Sequence, residues 1–135
     1  MSRLHVRVRV ADEHYALAVD DVLEVAELGD VTPVRGAGPA VLGVRNLRGQ
    51  VLPVVDLATV FELPPAQPER IVIAERGGLR AGLAVDGVVG VEELPEASEE
   101  VDSQHLAGAA LADGALVGVI DVGSVLETVE GSNAR

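Results

Sequence analysis

Three histidines and two pairs of adjacent glutamates are the residue types in this chain best suited to catalysis or metal binding. His5 is predicted to lie on the polar face of a strand, His14 in a turn and His105 in an acidic loop. Because none of them has further ligands at the spacing of a metal site, we expect all three to be solvated surface residues. The glutamates at 92–93 and 99–100 could pair for acid–base catalysis. However, neighbours in a strand point to opposite faces, and acidic loops are usually solvated.

The sequence motifs of catalysis are also missing. The chain has no cysteine, which excludes disulfides and thiolate metal sites. It contains no phosphate-binding loop, dinucleotide-binding turn, nucleophile elbow or zinc-protease motif. The sequence therefore predicts no enzyme, no cofactor and no metal site. A small β-barrel enzyme or ligand-binding protein stays open as an alternative, and it would need polar residues that converge in a pocket.

The segment 43–49 (GVRNLRG) combines charged and amide groups with a strand–turn–strand pattern that is otherwise aliphatic. Arg48 is predicted to lie at the tip of a hairpin, with Glu24 or Glu27 of a neighbouring strand as its expected partner. A surface pair of this kind contributes only about 0–1 kcal/mol to stability. Its predicted role is to present an oriented guanidinium to a partner protein. In the second half of the chain the same place is taken by Asp113-Gly114, without arginine.

The elements that position these residues occur twice. The segments 17–28 (LAVDDVLEVAEL) and 83–94 (LAVDGVVGVEEL) are identical at eight of twelve positions, at an offset of 66 residues. The segments 49–62 (GQVLPVVDLATVFE) and 114–127 (GALVGVIDVGSVLE) align at an offset of 65. Repetition at a fixed offset predicts two similar lobes. Four aspartates recur in these segments and are predicted to end strands or to cap short helices: Asp20, Asp86, Asp56 and Asp121.

About ten short, valine-rich strands are predicted, at the spacing of small barrels or a sandwich. The hairpin-then-helix order of both halves favours a pair of related barrels. We expect lobes at approximately 1–63 and 70–130, joined by a proline-rich linker at 64–69, with strand exchange between the lobes as an option. Residues 131–135 are expected to form a frayed tail. The predicted fold class is all-β with short helical turns.

Composition narrows the choice of partners. The net charge is −12, and all ten basic residues are arginines. Such an acidic chain would be repelled by phosphate backbones, so we expect no nucleic-acid partner. No stretch approaches the length of about 18 apolar residues that a membrane span needs, and no signal peptide is recognisable. We therefore expect a soluble cytoplasmic protein without direct membrane insertion.

The segment 39–57 (PAVLGVRNLRGQVLPVVDL) closely resembles the signature of CheW-like proteins, the coupling adaptors of bacterial chemotaxis. The resemblance extends from about residue 6 to residue 129, with further matches at Tyr15 and in four short segments. These segments are VAEL (25–28), LAVDGV (83–88), HLAG (105–108) and VIDV (119–122). Several matches in chain order make the resemblance specific.

The resemblance implies a single CheW-like domain over residues 1–135, built of two SH3-like five-stranded barrels. It implies a non-catalytic scaffold that couples methyl-accepting chemoreceptors to the histidine kinase CheA, in the cytoplasm and within receptor arrays at the inner membrane. The groove between the lobes would engage the receptor's cytoplasmic helical tip. The lobe ends would engage the kinase's related regulatory domain. Pilus- and gliding-type chemosensory pathways use the same domain and stay open as alternatives.

The resemblance also implies a set of receptor-binding residues. The arginine of its Asn-Leu-Arg-Gly motif maps to Arg48, and the glutamate with which that arginine pairs maps to Glu27. Three neighbouring positions belong to the same expected surface: Gly43, Val25 and Asn46. The residues that contact the kinase are not indicated by the sequence.

Overall fold

The computed structural model describes residues 3–98, 101 and 103–132. These residues form short strands, a 3-10 turn at Val19–Asp21 and the helices α1 (Leu57–Val60) and α2 (Val122–Ser132). The strands are β1 (Arg3–Val10), β2 (Glu13–Ala18), β3 (Val22–Glu27), β4 (Val41–Leu47), β5 (Gln50–Asp56), β6 (Arg70–Arg76), β7 (Leu79–Val85), β8 (Gly87–Leu94), β9 (Leu106–Ala112) and β10 (Ala115–Ile120). The prediction of an all-β fold with little helix is confirmed.

The strands form two five-stranded sheets, each curled into a small barrel. We call the first the central barrel, with the strand order β3-β6-β7-β5-β4, and the second the terminal barrel, with the order β8-β1-β2-β10-β9. Neighbouring strands are antiparallel except for one parallel pair in each barrel, β5 with β7 and β2 with β10. The expected pair of SH3-like barrels is therefore confirmed.

The barrels do not correspond to the two halves of the repeat. The first half gives β1 and β2 to the terminal barrel and β3–β5 to the central barrel, and the second half does the reverse. The lobe boundaries expected at 1–63 and 70–130 therefore do not follow the sheets. The segment 64–69 connects α1 to β6 and leads from one part of the central barrel to another. The chain crosses between barrels after the repeated LAVD segments, at 17–20 and 83–86.

The largest cluster of buried apolar side chains lies between the barrels. Both repeated leucines, Leu17 from the terminal barrel and Leu83 from the central barrel, are completely buried in it, together with Leu126 of α2. Two smaller clusters fill the barrel interiors. Because a unit of about 60 residues buries too little surface to be robust alone, this shared core makes the two barrels one folding unit.

The chain's only two aromatic residues stack on each other across this boundary. Tyr15 of β2 and Phe61, which follows α1, have ring centroids 4.6 Å apart and planes inclined by 10°. Burial, followed by the negative charge of Glu13, raises the pKa of the Tyr15 phenol above its ordinary value of 10.0. The stack therefore ties the first hairpin of the terminal barrel to the end of α1.

A glycine closes each barrel at the start of an edge strand. A β-carbon on Gly43, whose φ is +150°, would lie 2.1 Å from the carbonyl oxygen of Thr32. A β-carbon on Gly108 would lie 2.0 Å from the carbonyl oxygen of Ser98. The close approach allows paired backbone hydrogen bonds between Thr32 and Val44, and an equivalent bridge forms in the terminal barrel. Only glycine leaves room for this contact.

Strand β1 alternates as predicted, but on its polar face His5 and Arg7 are buried and Arg9 is exposed. His5 is 7% exposed and Arg7 is 6% exposed, because this face points into the terminal barrel. The opposite face, with Val6 and Val8, belongs to the core between the barrels. The prediction of a half-buried strand with an exposed His5 is therefore wrong, since a strand of a packed barrel has two interior faces. The small side chain of Ala16 belongs to the cluster of buried apolar residues inside the terminal barrel.

The helices begin at the predicted caps. Asp56 accepts a hydrogen bond from the Ala58 amide at 3.3 Å, and Asp121 accepts one from the Ser124 amide at 3.1 Å. Helix α2 continues to Ser132, so the first two residues of the expected tail are helical, and 133–135 lie outside the described residues. None of the described helices is long and apolar enough to cross a membrane.

Replacing Gly43 by alanine should lower the free energy of unfolding by about 2–4 kcal/mol, because strain at positive φ adds to an overlap with the Thr32 carbonyl. Urea unfolding measures the effect. Gly36→Ala is the matched control, since Gly36 also has positive φ but open space around it, and it should cost only about 1 kcal/mol. Equal losses for the two variants would show that the close approach at Thr32 is unimportant.

The single tyrosine allows its ionisation to be followed by near-ultraviolet absorbance. The native protein should titrate at higher pH than the same chain in urea, because folding stabilises the neutral phenol. Tyr15 then adds no pH dependence to stability below about pH 10, and it reduces stability as the pH rises from there towards the folded pKa. Phe61→Leu should bring the native midpoint closer to the unfolded one. A native midpoint at or below the unfolded one would contradict this account.

Candidate functional site

The hairpin between β4 and β5 holds Arg48 in an uncommon backbone conformation. Arg48 and Gly49 are its two turn residues, with φ of +52° and +84°. Both values are positive, as a tight two-residue hairpin turn requires, and such turns favour Asn, Asp or Gly rather than arginine. Asn46 fixes the turn, because its side-chain oxygen accepts a hydrogen bond from the Gly49 amide at 3.0 Å. The arginine is thus held at the tip despite an unfavourable backbone preference.

The Arg48 guanidinium forms an ion pair with Glu24 of β3. The two side chains are 67% and 38% exposed. The pairing of Arg48 with Glu27 that the resemblance implied is wrong. Side chains alternate along β3, so Glu24 shares a face with Ala26, which packs against the interior cluster of the central barrel. Glu27 lies on the other face and is opposite Arg70 of β6.

The five residues expected to bind the receptor fall into three groups. Arg48 and Asn46 lie together at the exposed hairpin. Val25 and Glu27 are exposed on the outer face of β3, where Leu23 continues the same row. Gly43 is buried and carries no side chain, so its observed contribution is the close contact that closes the barrel. The structure therefore brings the hairpin to one side of β3 and leaves Val25 and Glu27 on the other.

The terminal barrel has an ion pair in the equivalent place, with the charges reversed. Its hairpin tip carries Asp113, which lies 3.9 Å from the guanidinium of Arg7. Arg7 also donates to Glu92 at 2.9 Å and to the ring of His14 at 3.3 Å, and its side chain is only 8% exposed. One barrel therefore buries its arginine behind an acidic tip, whereas the other exposes its arginine at the tip.

The other candidates for chemistry have structural partners. His105 is hydrogen-bonded through its ring to the hydroxyl of Ser124 at 2.8 Å, which joins the segment before β9 to α2. The expectation of a solvated surface residue is wrong for His5, which is buried, whereas His14 and His105 are half-buried and each ring has a hydrogen-bond partner. No group of three His, Cys, Asp or Glu within the described residues is placed to hold a metal ion. Glu92 is engaged by Arg7, and the pair at 99–100 lies outside the described residues.

Sequence reasoning identified the hairpin but not every partner around it. Glu24 was one of two candidates, and the alternation of β3 does not select it, because the larger apolar residues Leu23 and Val25 lie on the exposed face. The network of Arg7 with Glu92 gave no sequence signal, since the two residues are 85 positions apart and only strand exchange brings β1 beside β8.

Comparison with known proteins gives a consistent answer. Residues 5–130 match the sequence model of the CheW-like domain family. The chain is 28% identical over 130 residues to the chemotaxis protein CheW of Thermotoga maritima. This match covers 89% of this chain and 85% of that protein. It is 31% identical over 128 residues to the chemotaxis protein CheA of Salmonella typhimurium, covering 87% of this chain and 18% of CheA.

A solved structure shows the same architecture. The crystal structure of the scaffolding protein TtCheW from Thermoanaerobacter tengcongensis matches with a TM-score of 0.81 and 30% sequence identity. The match covers 90% of this chain and 86% of that one. Because the family match spans nearly the whole sequence and the fold agrees with a solved relative, this chain belongs to the CheW-like domain family.

Proposed function

We propose that this protein is a non-catalytic adaptor that couples methyl-accepting chemoreceptors to the histidine kinase CheA in a chemosensory array. Membership of the CheW-like domain family and the likeness to a scaffolding protein support this role. The observation that carries the proposal is Arg48, an exposed guanidinium that a strained hairpin and Glu24 hold in a fixed direction. No constellation among the described residues favours the alternative of a β-barrel enzyme.

The backbone conformation of Arg48 costs more free energy than its ion pair with Glu24 returns. A non-glycine residue in the left-handed region costs about 1–2 kcal/mol, and an exposed ion pair returns about 0–1 kcal/mol. The equivalent tip in the terminal barrel carries Asp113, a residue that such turns accept readily. Arg48 is therefore better explained by a contact with another protein than by folding. Its partner surface would offer a carboxylate or carbonyl oxygens to the guanidinium.

The receptor surface in this proposal is centred on the hairpin. Arg48 and Asn46 would contact the receptor tip directly, and Gly43 would act by setting the position of β4. Val25 and Glu27 would contribute from the outer face of β3. This face is opposite to the one that carries Glu24, the partner of Arg48. Through this contact the adaptor would be held in arrays at the inner membrane while remaining in the cytoplasm.

The proposed kinase contact involves the edge strands of the two barrels. The match to part of CheA means that the kinase relative contains a segment similar to this chain. Two similar double-barrel bodies present similar edges, so they can alternate in rings or chains of subunits. Here the edge strands are β3 and β4 in the central barrel and β8 and β9 in the terminal barrel. Strand edges of this kind, beyond the backbone bridges at Val44 and Ala109, favour side-by-side contacts between chains.

Arg48→Glu should reduce co-sedimentation with membranes that contain the cognate receptor and CheA at least about tenfold, a loss typical of an interface arginine. Thermal unfolding should shift by no more than about 4 °C, since the exposed pair contributes little. Arg3→Glu is the matched control, because Arg3 is 69% exposed and its guanidinium lies 3.7 Å from Asp20. Loss of folding in Arg48→Glu would make Arg48 structural and defeat the assignment.

Reversing both charges separates the contact from the ion pair. The double variant Arg48→Glu with Glu24→Arg keeps opposite charges at the two positions, so its thermal midpoint should stay close to that of the wild type. It should still fail to co-sediment, because the guanidinium would then extend from β3 instead of the hairpin tip. Wild-type co-sedimentation of the double variant would mean that only the ion pair matters, and the receptor contact would be refuted.

A further inference from the structure

The two barrels differ in how a helix covers them. Helix α2 packs on β6 and β7 of the central barrel, and its Val125, Leu126 and Val129 are buried. The equivalent helix α1 has only four residues, and its chain turns away at Pro64-Pro65. Phe61 occupies the place of Leu126 in the repeat, whereas the place of Val129 falls on Pro64, which cannot extend a helix. The terminal barrel therefore lacks the second helical turn that covers its counterpart.

A concave surface lies where that turn is missing, and its lining combines apolar residues with Glu13 and His14. It has a volume of about 620 Å³, and we call it the trough. Its floor is formed by small residues, since Gly118 lies opposite both Tyr15 and Ala109 in the sheet register. Its larger apolar wall residues are Tyr15, Val101, Leu106 and Leu116. The trough adjoins the core between the barrels. Ile120, which lies two residues beyond Gly118 on the same face of β10, belongs to that core.

The outer end of the trough exposes large apolar side chains. Leu116 is 70% exposed, and Leu111, its direct cross-strand neighbour, is 65% exposed. The two adjacent leucines form a small exposed apolar patch at this end of the trough. In the central barrel the position of Leu116 is taken by Val51, and that of Leu111 by Asn46, so the patch is particular to the terminal barrel.

The rim of the trough is acidic. Glu13 lines it, and Glu62 lines an adjoining cleft of about 470 Å³ that shares Tyr15 and Leu106 with it. Both glutamates are exposed. Tyr15, His14 and His105 are the other titratable side chains among the described residues that line these spaces, and no arginine is among them. A positively charged ligand is therefore favoured over a negatively charged one, in keeping with the net charge of −12.

We propose that the trough binds an amphipathic helix of another protein, with apolar residues three and four positions apart and lysine or arginine on its flanks. The internal comparison supports a helix, because α2 packs on the equivalent surface of the central barrel through apolar residues at that spacing. The acidic rim supports flanking basic residues. The site is separate from the Arg48 hairpin, so it does not depend on the receptor contact.

The test uses a fluorescein-labelled peptide with the sequence of residues 121–132, carrying Glu127→Lys and Glu130→Lys. Fluorescence anisotropy should show saturable binding to the full-length protein. Leu116→Glu should weaken binding at least tenfold, because it places a carboxylate on the patch. Val51→Glu is the matched control, since Val51 is 60% exposed at the equivalent position of the central barrel, and it should bind as the wild type does. Both variants alter exposed residues and should keep the wild-type thermal midpoint.

Three outcomes would overturn the proposal. The first is equal binding to wild type and Leu116→Glu, or an equal loss in Val51→Glu, which would place the peptide elsewhere. The second is equal affinity for the unsubstituted acidic peptide, which would remove the role of the rim. The third is a concentration-dependent dimer in sedimentation velocity that Leu116→Glu abolishes, which would make a second copy of this chain the occupant. Arg48→Glu should bind the peptide normally, so failure here is distinguishable from failure of the receptor contact.

Discussion

The apolar core between the two barrels is the contact on which the rest of the structure depends. Neither barrel has aromatic residues to fill its own interior, and their interior clusters are small. Stability must therefore come from burying the outer face of each barrel against the other, with Leu17 and Leu83 at the centre. Strand exchange strengthens this arrangement, because the chain crosses between the barrels after β2 and again after β7, and separating the two halves of the chain would break both sheets. The surfaces of the two barrels are consequently held in a fixed relation.

This fixed frame is nearly symmetric, whereas its surfaces are not. Both barrels are closed by a glycine and a backbone bridge, and both have a hairpin tip that contacts an ion partner. The tips carry opposite charges, and the helices that follow have four and eleven residues. Duplicated interior positions preserve the fold. The differences that most change the charge and shape of the surface fall at the tip residues Arg48 and Asp113 and at the residues after Phe61. Those are the positions from which partner specificity can arise.

The repeat, the hairpins and the helix caps could be predicted because they depend on local patterns and turn chemistry. The assignment of strands to barrels could not, since an exchanged and an unexchanged pair of lobes share the same sequence and the same local contacts. The burial of His5 and Arg7 was missed for a related reason: alternation shows that a strand has two faces, but not that both are covered. The choice between Glu24 and Glu27 depends on which face of β3 points inward, and the exchanged β6 decides it.

The stability of the molecule and its proposed binding surfaces draw on different interactions. Apolar burial stabilises the fold, and the exposed charges at Arg48 and Glu24 add little to it. Such charges are then free to serve recognition, where orientation matters more than strength. A single contact of this size is weak, but an adaptor with several separate surfaces gains affinity when its partners are themselves arranged in an array. A rigid double barrel suits this use, because simultaneous engagement requires that the distances between its surfaces do not change.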